Sequence, residues 1–84
     1  GNSQPTFATR RVTVDDARVL GSDGKHLKLA IRDMRYEISA IAFGMGELYD
    51  KLSPGKPVDI AYTVDIDHWR GNTKLQLKLK DLVT

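Results

Sequence analysis

The sequence predicts an all-β domain of five strands with one short helix between the third and fourth strands. Its 84 residues leave room for one hydrophobic core. Apolar and polar residues alternate in several short segments that glycine-rich turns separate, which is typical of β-strands. Residues 45–52 differ, because their apolar positions 45, 48, 49 and 52 follow helical spacing over about two turns.

The first predicted strand is long and bent. Its apolar positions at residues 12–14 continue at residues 17–19 in the opposite phase. The slip falls across Asp15 and Asp16 and predicts a β-bulge. Residues 21–24, with the sequence Gly-Ser-Asp-Gly, then predict a turn.

The second and third strands are predicted to form a tight pair. Apolar residues at positions 27, 29 and 31 alternate with polar or small ones, which predicts a half-buried second strand. Asp33 and Met34 are expected to connect it to a third strand over residues 35–43. In that strand residues 38, 40 and 42 oppose residues 41 and 43, so both faces are expected to be partly covered.

The remaining segments predict the helix and two further strands. Residues 53–55, Ser-Pro-Gly, end the helix. Alternation over residues 58–66 predicts the fourth strand, and residues 68–72 predict a loop. Leucines at 75, 77 and 79 alternate with polar residues and predict the fifth strand.

The order β-β-β-α-β-β is that of the OB-fold, a five-stranded, partly open barrel. An SH3-like barrel is the alternative, but it normally has no helix at this place. We expect residues 7–84 to form the OB domain. Residues 1–6 contain Pro5 and are expected to be a cloning remnant or a frayed terminus.

The composition excludes several classes of function. Thirteen Lys and Arg against 11 Asp and Glu give a net charge of +2, so a polybasic arm is excluded and nucleic-acid binding would need a local patch. No cysteine is present, which excludes disulfides, thiolate zinc sites and cysteine nucleophiles. No apolar run is long enough to span a membrane.

The residues do not predict an enzyme. Asp65, Asp67 and His68 come nearest to a metal-ligand cluster, but no further ligand completes the set, which favours exposed residues beside a turn. Asp15 and Asp16 are interpreted as a solvated bulge. No glycine loop has the context of a phosphate cradle.

A binding function is better supported. OB-folds hold single strands on the face of strands two and three and on the loops that join strands one to two and four to five. Such a groove needs cations for phosphates and flat groups for bases. The residues that meet this description are Lys25, His26, Lys28, Arg32, Arg35, Tyr36, Trp69, Arg70, Asn72 and Lys74.

Several of these aromatic and basic residues have a second interpretation. Trp69 either stacks on a base or folds over the open end of the barrel, and His26 either contacts a ligand or is structural. For the lysines at 74, 78 and 80, protection of a sheet edge is favoured over ligand binding. Phe43, Tyr49 and Tyr62 are predicted to lie in the core.

Five runs resemble the C-terminal OB domain of the RecJ family of bacterial single-stranded-DNA-specific exonucleases, within the DHH phosphoesterases. They are GKHLKL (24–29), AIAFGMG (40–46), VDIAYT (58–63), WRG (69–71) and LQL (75–77). Together they are fairly specific, and the resemblance covers residues 12–83. Asp67 and His68 precede a tryptophan, so they do not form the Asp-His-His signature of the catalytic domains.

The resemblance implies a parent 5′-to-3′ exonuclease that acts in recombination and repair in the bacterial cytoplasm. Mn²⁺ or Mg²⁺ is expected in its catalytic domains, and no cofactor or catalytic residue in this chain. The implied partners are single-stranded DNA, the catalytic domains of the same parent and a single-strand-binding protein, with no membrane. The alternative is a structural module that docks other nuclease domains or a partner protein and makes little DNA contact.

Overall fold

Five strands and a short helix form the part of the chain that the computed structural model describes, residues 5–53 and 55–84 without the side chains of Asp67 and Trp69. The elements are β1 (Phe7–Leu20), β2 (His26–Asp33), β3 (Tyr36–Ala42), a 3₁₀ helix (Gly46–Lys51), β4 (Pro57–Trp69) and β5 (Asn72–Val83). The strands close into a barrel in the order β1-β2-β3-β5-β4. The predicted fold class is confirmed. Of the residues 1–6 that were expected to be a cloning remnant or a frayed terminus, residues 1–4 lie outside the described residues, as does Pro54.

All five strands contribute buried residues to the core, and β2 and β3 show its packing most clearly. Leu27, Leu29 and Ile31 are at most 2% exposed, as the alternation predicted. Leu27 pairs with Ala42 and Leu29 with Ala40, and both alanines are fully buried. These two leucines therefore each lie beside a small residue, which fills this part of the barrel without overpacking. Burial of each leucine stabilises the fold by about 1.5–3 kcal/mol.

Strand β1 bends at two places and thereby pairs with two different strands. The predicted bulge is confirmed, because the register with β2 shifts between Val14 and Asp16. A second shift, in the register with β4, falls between residues 9 and 12. Arg11 lies there with φ of 59°, and its backbone N–H donates to Asp59 Oδ1 at 2.9 Å.

The ring is completed by β4, which pairs with β1 and β5, and by β5, which also pairs with β3. Ala61 of β4 pairs with Ala8 of β1 on one side and with Asp81 of β5 on the other. On its second edge β5 pairs with β3 in parallel, and this ladder joins Ser39 to Gln76, Ala40 to Leu77 and Ile41 to Lys78. The outward residues of β5 are thereby brought beside those of β3.

The predicted two-turn helix is a short 3₁₀ helix. Leu48 donates to the Met45 carbonyl at 3.0 Å and Leu52 to the Tyr49 carbonyl at 3.2 Å, both three residues back. Met45, Leu48 and Leu52 pack against the core. Residues three apart eclipse in a 3₁₀ helix, so Tyr49 falls off the face that carries Met45 and Leu48. Tyr49 is 45% exposed, and its predicted place in the core is wrong.

Two predicted hairpin connections, β2–β3 and β4–β5, are displaced or shorter in the structure. The turn between β2 and β3 is formed by Met34 and Arg35, one residue later than predicted. The predicted loop over residues 68–72 is a two-residue turn at Arg70 and Gly71, with φ of 49° and 78°. Two successive positive φ values are those of a type I′ turn, whose twist matches that of the strands. Strands β4 and β5 therefore continue up to this turn.

No helix among the described residues combines the length and the hydropathy that crossing a membrane would need.

Among the described glycines, Gly46 is the one at which an added side chain would have the least space. Its N–H donates to the Lys25 carbonyl at 2.9 Å, and an added Cβ would clash with the carbonyl oxygen of Gly24. We expect Gly46→Ala to lower the free energy of unfolding by ~3 kcal/mol, because backbone must move to admit the methyl group. Urea unfolding measures this change.

Gly55→Ala is the matched control for Gly46→Ala. Gly55 has φ of 80°, and an added Cβ would meet nothing within 4 Å. Its substitution therefore carries only the left-handed backbone strain, about 1 kcal/mol. Equal losses for the two variants would contradict the close approach of Gly46 to the β1–β2 turn.

Candidate nucleic-acid interface

A row of basic side chains crosses the outer face of the barrel. Arg18 of β1 pairs with Lys28 of β2, Lys28 with Ile41 of β3, and Ile41 with Lys78 of β5. We call Arg18, Lys28 and Lys78 the basic row. Neighbouring strands lie about 4.8 Å apart, so the backbone positions of the row extend over roughly 14 Å, perpendicular to the strands.

The carboxylates beside the basic row hold its cations weakly. Arg18 Nε lies 3.3 Å from Asp16 Oδ2, with the two side chains 75% and 59% exposed. Lys78 Nζ lies 3.7 Å from Asp65 Oδ2, and both side chains are more than two-fifths exposed. Exposed ion pairs of this kind contribute about 0–1 kcal/mol. Lys28 has no carboxylate within 4 Å among the described residues, so all three cations can turn to a phosphate at little cost.

A floor of small and uncharged residues adjoins the basic row. Ala30 pairs with Ser39, and Ser39 pairs with Gln76, two residues along each strand from the row. A shallow cavity of about 190 Å³ opens here, and Arg18, Lys28, Ala30 and Ser39 form part of its lining. The face therefore has a groove, bounded on one side by cations.

Arg32 lies beyond this floor but is engaged by two carboxylates. Its Nε donates to Asp15 Oδ2 at 2.6 Å, and its Nη2 donates to Glu37 Oε2 at 3.0 Å. Asp15 lies at the bulge of β1 and Glu37 on β3, so Arg32 joins three strands. Because its charge is matched twice, the structure supports a positioning role more than phosphate binding.

The β1–β2 end of the face carries a pair of aromatic rings. Gly44 N–H donates to His26 Nδ1 at 3.0 Å, and the His26 ring meets the Phe43 ring edge to face at 5.4 Å between centroids. Phe43 is 58% exposed, so its predicted place in the core is wrong. Ala40 and Ala42 point inward, and alternation turns Phe43 outward. Lys25 follows the turn and lies 3.6 Å from Asp23.

Two predicted site residues, Arg35 and Tyr36, lie apart from the basic row. Tyr36 has the inward phase of Ile38 and is 79% exposed at the rim of the barrel. It lines a mostly apolar cavity of about 280 Å³ together with Ile38, Val64 and Leu75. We call this end of the barrel the mouth. The sequence grouped Tyr36 with Lys28, but the structure places the two on different surfaces.

The remaining predicted residues lie on the β4–β5 hairpin. Arg70 forms the turn, Asn72 begins β5, and Lys74 follows on its outward side. The Trp69 side chain lies outside the described residues, so stacking and covering of the barrel both stay open. Tyr62 packs against the core as predicted, and its hydroxyl shares a 2.9 Å hydrogen bond with Thr9 Oγ1.

The favoured edge-protection role fails for Lys78, because β5 is paired on both sides there. Residues 76–78 of β5 pair with β3 as well as with β4. Lys74 and Lys80 lie on parts of β5 that pair only with β4. Among the described residues, the other edge of β5 is unpaired there, as the edge-protection role requires.

Asp65 and His68, two of the three residues that come nearest to a metal-ligand cluster in the sequence, are not arranged to bind Mn²⁺ or Mg²⁺. The Asp65 carboxylate faces Lys78, and His68 Nδ1 shares a 3.3 Å hydrogen bond with Thr73 Oγ1. The Asp67 side chain lies outside the described residues. Across those that are described, no three His, Asp or Glu side chains come together in a group that could hold a metal ion.

Sequence reasoning left Arg18, Phe43 and Lys78 out of the candidate site. Phase would have identified Phe43, because Ala40 and Ala42 are small enough to face the leucines of β2 and Phe43 must then point outward. No local signal identifies Lys78, because its place beside Ile41 depends on a ladder between distant strands.

Comparison with known proteins identifies the family of this domain. The family model described as the RecJ OB domain matches residues 1–81. The chain is 29% identical over 80 residues to the single-stranded-DNA-specific exonuclease RecJ of Bacillus subtilis (strain 168). That match covers 95% of this chain and 10% of the relative, so the chain spans about a tenth of the relative's length. The match to the family model, together with the five-stranded barrel, shows that this chain belongs to the RecJ OB domain family.

Proposed function

We propose that this chain is a non-catalytic, single-stranded-DNA-binding OB domain of a RecJ-like 5′-to-3′ exonuclease that acts in recombination and repair. It would contact the strand near the entrance to the catalytic domains. The basic row carries this proposal, because it provides three cations in line across the sheet. The name of the Bacillus subtilis relative, a single-stranded-DNA-specific exonuclease, supports the same class of ligand.

The physical case rests on how a single strand would cross this face. A strand that runs perpendicular to β2 and β3 meets Arg18, Lys28 and Lys78 in succession. Phosphates release condensed counterions when they meet such cations, which gives salt-dependent binding. The net charge of +2 is small, so this domain would add to a grip made elsewhere in the parent.

The chemistry of the parent belongs outside this chain in this proposal. Mn²⁺ or Mg²⁺ would be held by its catalytic domains, which are partners of the OB domain within the same protein. A single-strand-binding protein is a further proposed partner, and the bacterial cytoplasm is the proposed location. The fragment itself would hydrolyse nothing.

The first test removes the basic row. We expect the triple variant Arg18→Ala, Lys28→Ala, Lys78→Ala to bind a labelled single-stranded oligonucleotide more weakly at low salt. It should also flatten the dependence of log K on log salt by about 2, since each lost phosphate contact removes about 0.7. Fluorescence anisotropy over a salt series measures both quantities.

A variant of equal charge serves as control for this test. Arg10→Ala, Lys51→Ala, Lys56→Ala also removes three positive charges, but from β1 beside β4, from the 3₁₀ helix and from the segment before β4. It should retain most of the affinity and the salt slope. If both triple variants lose the same affinity, bulk charge explains binding and the basic row does not.

A second test separates Arg32 from the basic row. Arg32→Gln should lower the free energy of unfolding by about 1 kcal/mol, because Asp15 and Glu37 lose their shared partner. Affinity for single-stranded DNA should change much less than in the Lys28→Ala variant. A larger loss of affinity than of stability would assign Arg32 to phosphate binding.

A docking function is the second candidate, and the mouth of the barrel favours it. Ile66 and Leu75 pair across the β4–β5 hairpin and are 54% and 48% exposed, and Leu75 lines the cavity at the mouth together with Tyr36. Exposed apolar groups that cluster in this way mark interaction surfaces. In this function the OB domain would hold the catalytic domains or a partner protein at its mouth.

The two candidates predict different effects of the same variant. If the mouth docks other domains, Ile66→Thr, Leu75→Thr should weaken association with separately produced catalytic domains of the parent, measured by calorimetry. Its affinity for single-stranded DNA should stay unchanged, because neither residue belongs to the outer face. Unchanged association would remove the docking function, and lost DNA affinity would move the DNA interface to the mouth.

A further inference from the structure

An exposed aromatic ring lies beside the basic row without a role in phosphate binding. Phe43 directly follows Ala42 at the end of β3 and is 58% exposed. It has the same outward phase as Ile41, the β3 member that connects Lys28 to Lys78. Two residues along a strand correspond to about 7 Å, so the ring lies about one nucleotide spacing away from the basic row.

The other exposed aromatic rings lie in less suitable places. Tyr36 is at the mouth of the barrel. Tyr49 lines a cavity with Asp15, Asp16 and Asp50, where carboxylates repel a phosphate backbone. Phe7 packs on Tyr62 with 5.9 Å between ring centroids, on the side of β1 and β4. Among the described aromatic rings, Phe43 is therefore the one that adjoins the cations of the outer face.

Contacts around Phe43 hold it in place before any ligand arrives. The His26 ring meets it at an interplanar angle of 75°, and His26 Nδ1 accepts a hydrogen bond from Gly44 N–H. An accepting Nδ1 means that the neutral imidazole carries its proton on Nε2. Gly44 has φ of 73°, and Gly46 N–H donates to the Lys25 carbonyl at 2.9 Å. The segment after β3 is thus fixed to the start of β2 at two points.

We propose that Phe43 is the stacking surface for one nucleobase of the bound strand and that His26 is its positioning residue. This inference rests on the proposed function. A phenyl face accepts any base, so the subsite contributes affinity without sequence preference. His26 limits the rotation of the ring and ties the following backbone down, which lowers the ordering cost when a base stacks.

Stacking and charge have different signatures in a salt series. Phe43→Leu keeps apolar bulk but removes the aromatic face, and we expect it to weaken binding of oligothymidylate by roughly 10-fold. The slope of log K against log salt should not change, because no phosphate contact is lost. Tyr49→Leu removes another exposed ring, one in acidic surroundings, and should leave the affinity unchanged.

A strand with abasic sites tests the base contact directly. Wild-type protein should bind an oligonucleotide with tetrahydrofuran abasic sites less tightly than oligothymidylate of equal length, and Phe43→Leu should abolish that difference. In an oligonucleotide carrying 2-aminopurine, wild type should quench the fluorescence and Phe43→Leu should not. Circular dichroism and urea unfolding establish that each variant is folded.

The role of His26 is tested by two substitutions. His26→Ala removes both contacts, and it should reduce the 2-aminopurine quenching toward that of Phe43→Leu. His26→Asn offers an amide oxygen to Gly44 N–H, and it should restore part of the quenching. If neither substitution changes the quenching, His26 has no positioning role.

The outcomes distinguish this subsite from the function on which it rests. Binding that depends on the basic row but is equal in Phe43→Leu and wild type overturns the subsite and leaves the proposed function intact. Absence of any binding at low salt overturns both. Loss of the salt slope in Phe43→Leu would also overturn stacking, because it would mean that phosphate contacts were lost.

Discussion

The short parallel ladder between β3 and β5 is the constraint on which the outer face depends. Only residues 39–41 and 76–78 take part, yet they join two distant parts of the chain. A parallel pair needs a long connection, which the 3₁₀ helix and β4 supply together. Without this ladder Lys78 would lie on a free edge and the cations of β1 and β2 would have no counterpart across β3. The small side chain of Ala40 lets Leu77 pack beside it at the point of closure.

A nearly neutral protein can still present a local cationic path, and the placement of its acidic residues explains how. Asp16 and Asp65 each lie next to one member of the basic row, whereas Asp15 and Glu37 are used to hold Arg32. The first two ion pairs span 3.3 and 3.7 Å and exchange easily, whereas the two to Arg32 span 2.6 and 3.0 Å and form part of the scaffold. Net charge therefore says little about this surface, because exposed pairs cancel in the sum but separate easily when a polyanion approaches.

Local patterns predicted most of the fold. The alternation of residues 27–31, the bulge at Asp15 and the turn at residues 21–24 depend on neighbours in sequence, and all three appear in the structure. The fold class followed from the order of these elements. The sequence could also have placed Phe43, had the two alanines before it been recognised as the core phase.

The candidate site was less accessible to sequence reasoning, because it depends on which strands become neighbours. Tyr36 begins β3 and Phe43 directly follows its last residue, yet opposite phase and opposite ends put the two on different surfaces. Lys78 resembled an edge residue until β3 was found beside it. The two-residue turn at Arg70 was hidden because Arg is uncommon at positive φ, where Asn or Gly is the usual signal.

The position of Ala61 between Ala8 and Asp81 has a consequence for how the domain can be engineered. The first and last strands flank the same residue of β4, so roughly 10 Å separates them, a distance that a linker of about three residues spans. A circular permutant could join these strands and open at Gly55, where an added Cβ would meet nothing within 4 Å. All five ladders of the barrel would persist in such a permutant, since none of them includes the segment that is cut. The order of strands along the chain is therefore separable from the shape of the surface they build.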